Sequence, residues 1–136
     1  MPQRRYANIA AVVVLAAAVT SCGTLAERED AASTTVTRFE QALTAQQATE
    51  LCAALAPATR DELEQSAKQP CVRAITKSDI PVAGAVHTVD VYGGQARVAL
   101  EHDTVFLAHF PTGWKISAAG CTSQLGQPYR CEIRGR

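Results

Sequence analysis

"AVHTVDVYGGQARVALEHDTVFLAHFPTGWKIS", residues 85–117, decides the fold of this chain. Apolar and polar residues largely alternate along it, and Gly93-Gly94, His102-Asp103 and Pro111-Thr112-Gly113 interrupt the alternation at strand-length intervals. A period of two marks a half-buried β-strand, and short turn-forming insertions between such runs mark hairpins. Four strands are therefore expected, over residues 85–92, 95–101, 104–110 and 114–120, arranged as an antiparallel meander. Beyond them, Cys121 and Cys131 bracket a loop containing Gly126 and Pro128, with a final short strand over 129–133.

Upstream the period changes to 3.6. Val36, Phe39 and Leu43 recur at spacings of three and four, which predicts an amphipathic helix over 29–46. Leu51, Cys52 and Leu55 share a face of a second helix over 48–55, ended by Pro57. Thr59 to Glu62 has the form of a capping box ahead of Leu63, so a third helix is expected over 59–67. Pro70 interrupts, and residues 71–75 form one more turn. Helices first and an antiparallel sheet second is an α+β layout.

The first residues are of another kind. Arg4 and Arg5 precede an uncharged apolar stretch from Ile9 to Val19, and small polar residues follow, which is the anatomy of an export signal. The stretch is too short to span a bilayer, which takes roughly 20 apolar residues. At its end, Val19-Thr20-Ser21-Cys22-Gly23 places a cysteine where cleavage would fall. A thiolate is the side chain best able to attack a lipid donor near neutral pH. This stretch resembles the lipobox of bacterial lipoproteins, and the resemblance implies that Cys22 becomes the first residue of the mature protein and carries diacylglycerol. Arg4-Arg5-Tyr6 leaves the export route open between the general and the twin-arginine pathway.

Without residues 1–21 the 136-residue chain keeps 115, one domain by length, and Arg4 and Arg5 leave 11 basic against 13 acidic side chains. A net charge of −2 excludes the basic footprint of a nucleic-acid binder. Besides Cys22 there remain Cys52, Cys71, Cys121 and Cys131, an even number in an oxidising setting. Of three possible pairings, Cys52 with Cys71 and Cys121 with Cys131 is expected, because each closes a short local loop. No C-x-x-C occurs and His87, His102 and His109 are not clustered with the cysteines, so no metal and no cofactor is expected.

The helical hairpin followed by "VDVYGGQARVAL" and "TVFLAHFPTGWKIS" resembles the NTF2-like, cystatin-related cone fold over roughly residues 30–120. The ending "GWKISAAGC" resembles small exported lipoproteins of actinobacteria. The resemblance implies helices covering a curved four-strand sheet, with any ligand pocket on the concave face. It divides the chain into a signal peptide (1–21), a lipid-anchored tether (22–30) and an NTF2-like domain (31–136).

Strand alternation then sorts the candidates. His87 shares a face with Val89 and Val91, and His109 with Val105 and Leu107, so these two histidines are the pocket candidates. Asp90 falls on the face opposite His87, which splits the only acid–base pair, and its expected partner is Arg97 on the next strand. Asp61, Glu62 and Glu64 suit a helix N-terminus, and Trp114 suits the core. No nucleophile elbow, phosphate loop or H-E-x-x-H motif is present, so no residue is assigned to catalysis. The expectation is a lipid-anchored, non-enzymatic interaction or accessory module on the outer face of the cytoplasmic membrane, with an envelope protein as partner. The alternatives are a binder of a small apolar ligand in the cone cavity, and a cone-fold enzyme with His87 or His109 as its base.

Overall fold

The computed structural model describes residues 23–136; the signal segment and Cys22 lie outside the described residues. Four helices, α1 (Leu25–Thr44), α2 (Ala48–Ala54), α3 (Pro57–Ala67) and α4 (Cys71–Thr76), precede six strands. The strands are β1 (Val86–Tyr92), β2 (Gln95–Leu100), β3 (Thr104–Phe110), β4 (Gly113–Gln124), β5 (Gln127–Arg130) and β6 (Ile133–Arg134). The α+β class and the meander are as expected. Beyond the four-strand meander, the one short strand expected over 129–133 is two, β5 and β6, which makes six strands in the antiparallel order β1-β2-β3-β4-β5 with β6 also on β4.

The extra strands arise because β4 does not stop at Gly120. Gly120 has φ +64°, a left-handed conformation that bends the strand without ending it. The chain continues to Gln124, turns, and returns as β5. The Cys121–Cys131 disulfide closes this hairpin, and the Cys52–Cys71 disulfide joins α2 to the start of α4. Each bridge removes freedom from the unfolded chain, worth about 2–3 kcal/mol in the chain-entropy picture.

The helix boundaries differ from expectation at two places. The first helix starts at Leu25, because Thr24 and Glu27 form a reciprocal capping box that satisfies two otherwise orphaned amides. Most of the expected tether is thus helical. The third helix starts at Pro57 and not Thr59: proline has no amide hydrogen to leave unpaired in a first turn, and its φ already suits a helix. Thr59, read as a cap, instead lies inside α3 and is buried. Its hydroxyl donates to the Ser117 carbonyl at 2.9 Å.

That carbonyl is free for a reason. Leu107 pairs with Ile116 while Phe106 pairs with Ala118, so Ser117 is the extra residue of a β-bulge and its backbone leaves the ladder. It accepts from Thr59 and also from the Gly135 amide at 3.0 Å. Nearby, Ala56 donates its amide to the Ile116 carbonyl at 2.8 Å. The helical layer and the C-terminal segment are thereby pinned along β4.

One face of the sheet carries Ala96, Val98, Leu100, Val105, Leu107, Trp114 and Ile116, and it is buried in one cluster with Ala32, Val36 and Phe39 of α1 and Leu51, Leu55, Leu63 and Ile75 of the other helices. On the outer face, Arg97 holds Asp90 across strands at 2.6 Å, as expected. Tyr129 of β5 packs edge-to-face on Phe106 at 5.0 Å, covering part of that face.

Thr59→Val keeps the shape of the buried side chain and removes its hydroxyl. Because Gly135 still satisfies the Ser117 carbonyl, the expected loss is about 1 kcal/mol in urea unfolding. Ser117→Ala retains the carbonyl and should leave the unfolding midpoint nearly unchanged.

Candidate functional site

A groove with polar side chains on its walls runs between α1, α2 and the β3–β4 hairpin and holds about 550 Å³. Phe39 and Trp114 form its apolar part, and Arg38, Glu50, His109 and Lys115 its polar walls. His109 is the expected candidate that reaches it. The His109 ring lies edge-to-face on Trp114, with centroids 4.9 Å apart and planes at 75°. On the same indole sits the Arg28 guanidinium, 5.6 Å from the ring centroid. Arg28 also donates to the carbonyl of Gly93 in the β1–β2 turn. Lys115 extends across the groove floor to donate to the Ala53 carbonyl at 2.8 Å, one of the acceptors left open at the end of α2.

His87 does not reach the groove. Val86 pairs with Leu100 and Thr88 with Ala99, so His87 is the extra residue of a second bulge and points to solvent instead of sharing the face of Val89 and Val91. The two histidines also sit at opposite ends of the sheet, His87 near the start of β1 and His109 at the end of the equally directed β3. They cannot act together. Among the described residues, no cluster of three or more His, Cys, Asp or Glu side chains could hold a metal ion.

The sequence reading missed a second constellation. Glu40 on α1 is buried and accepts the Ala83 amide at 2.7 Å. Asp103, in the β2–β3 turn, is only 8% exposed. Among the described residues nothing donates a hydrogen bond to either of its carboxylate oxygens. Burial raises the Asp103 carboxyl to about 6, and the negative charge of Glu40 pushes the same way against a smaller opposing pull from His102. Glu40 is raised as well: burial outweighs the amides of Ala83 and Gly84 that favour its charge. One signal could have found Glu40, since it stands four residues after Val36 on the buried stripe of α1. Asp103 offered none, because an acid in a turn is ordinary.

Between the ordinary carboxyl value of 3.8 and about 6 the folded protein binds more protons than the unfolded chain. The Asp103 contribution is fully present below that window and is lost as pH rises through about 6. Stability to urea should therefore increase as pH is lowered from 7 toward 5. Asp103→Asn should flatten this rise and gain on the order of 1–2 kcal/mol at pH 7, with Glu40 supplying the residual slope. A slope unchanged by the substitution would exclude the assignment.

No protein-family model, no curated protein and no solved structure matches this chain.

Proposed function

We propose that this protein is a lipid-anchored module of the cell envelope, held on the outer face of the cytoplasmic membrane through diacylglycerol on Cys22 and acting by interaction, not catalysis. The observation that carries the reading is the arrangement of residues 4–23: a basic pair, an 11-residue apolar stretch from Ile9 to Val19, and Cys22 ahead of Gly23. Two acyl chains hold a protein stably at a bilayer, where one alone is marginal. Two disulfides between local cysteine pairs suit an oxidising compartment outside the cytoplasm. Among the described residues no helix is long and apolar enough to cross a membrane.

The non-enzymatic part of the reading is supported by two of the polar side chains on the groove walls: Lys115 is used on a helix-end carbonyl and His109 on an indole edge, so each of these two has a structural partner. As to fold family, we assign the domain to the NTF2-like cone, on the order of its helices and hairpins and the Gly113-Trp114-Lys115-Ile116 strand. A second reading, a small apolar ligand, is favoured by one observation: a groove of about 550 Å³ with Phe39 and Trp114 in its walls is within the usual size of a ligand pocket.

Cys22→Ala should move the protein from the membrane fraction to the medium, and the wild-type intact mass should carry a diacylglycerol increment that the variant lacks. Equal partition of the two forms would reject the anchor. For the second reading, native mass spectrometry of the exported protein after incubation with envelope lipid extract should show a reproducible small-molecule adduct, which Trp114→Ala reduces.

A further inference from the structure

The start of α1 lies very close, along the chain, to the residue proposed to carry the lipid. Only Gly23 and Thr24 separate Cys22 from Leu25, the first helical residue. Three residue steps at no more than roughly 3.5 Å each reach about 10 Å. The headgroup layer of one leaflet is itself about 5–8 Å deep. The two linking residues are also held in place. Gly23 has φ +71°, which favours glycine, and Thr24 is locked in the capping box with Glu27.

What lies beside this helix end is set by the sheet. Arg28 donates to the Gly93 carbonyl, bringing the β1–β2 turn against the first turns of α1. The His109 amide donates to the Gly94 carbonyl at 2.8 Å, which places the end of β3 at the same pole. Two large apolar side chains are exposed there, Leu25 at 58% and Tyr92 at 62%. By contrast Leu125, fully exposed at the tip of the β4–β5 hairpin, belongs to the far pole, because β4 runs away from the β3–β4 turn.

Resting on the anchor reading above, we propose that the pole formed by the start of α1 and the β1–β2 turn lies on the bilayer, with Leu25 and Tyr92 seated in its headgroup layer. Tyrosine is suited to that layer, since its ring takes the apolar side and its hydroxyl the wet side. The acids near the start of α1, Glu27, Glu29 and Asp30, give no attraction to anionic lipid, and Arg28 is engaged within the protein. Seating is therefore apolar and held by proximity, so it needs no anionic lipid and resists salt. The Leu125 hairpin is left facing away from the membrane.

The test uses the full chain, exported and acylated in its host, purified and placed in phosphatidylcholine vesicles whose acyl chains are brominated to quench indole emission. Trp114 is the only tryptophan, so Tyr92→Trp and Leu125→Trp are each made with Trp114→Phe, and the intact mass of every sample reports diacylglycerol on Cys22. With acylation present, the Tyr92→Trp form should lose about half its emission and the Leu125→Trp form almost none, at low and high salt alike. Acylation with equal quenching of both, stronger quenching at 125, or none at 92 overturns the membrane seat and leaves the anchor standing. Absence of the diacylglycerol mass overturns the anchor and this inference with it. Because Trp114→Phe could perturb folding, hydrogen exchange is also measured on the unsubstituted acylated protein in vesicles, against its Cys22→Ala form in solution. Slowed exchange at Gly93 and Gly94 but not at Leu125 and Gly126 is expected, and the reverse pattern overturns the proposal.

Discussion

One buried stripe of α1 holds the molecule together. Ala32, Val36 and Phe39 meet the sheet face of Ala96, Val98, Val105, Leu107 and Ile116 in a single cluster, and most of these are nearly inaccessible to solvent. Fully burying a side chain of the size of Val, Leu, Ile or Phe contributes about 1.5–3 kcal/mol. Neither partner would be sound without the other: a helix in a protein draws most of its stability from packing its apolar face, and the sheet alone would expose its own. The seating of α1 decides where its two ends go. Its first turns meet the β1–β2 turn through Arg28, and its later turns meet the Ala83 segment through Glu40.

The two polar attachments differ in kind. Arg28 is half-buried and adds a cation–π contact on Trp114. Glu40 is buried beside a second carboxyl, Asp103, which has no hydrogen-bond donor among the described residues. Burying carboxyl groups together favours their neutral forms, whereas the Ala83 amide favours the charged form of Glu40, so the two effects oppose each other at this contact. The same helix is thus tied at one end by a cation on an indole and a turn carbonyl, and at the other by a buried acid.

Along β4 the structure handles a different problem, an open sheet edge. The bulge at Ser117 frees a carbonyl for α3 and the C-terminal segment, Ala56 takes the Ile116 carbonyl, and β6 pairs with Ala118 and Ala119. A bare edge would offer unpaired backbone groups to another chain. The Cys121–Cys131 bridge then holds the β4–β5 hairpin that carries Tyr129 back over Phe106.

The sequence by itself determined the α+β class, the first four strands, the two disulfide pairs and the Asp90–Arg97 contact. Each of these depends on residues near in sequence or on alternation between adjacent strands. A repeating pattern survives one local error, because every residue in it votes for the same face. Only the tertiary structure decided that His87 leaves its face, that Thr59 serves β4 instead of capping a helix, and that Glu40 and Asp103 are buried together. A bulge inverts parity through one inserted residue with no compositional mark. A buried hydrogen bond or charge pair depends on where a segment tens of residues away passes, and Thr59 and Ser117 are 58 residues apart. The start of α1 was decided locally, by Thr24 and Glu27, yet its meaning was not. Only the fold shows that the helix beginning there runs beside the exposed Tyr92.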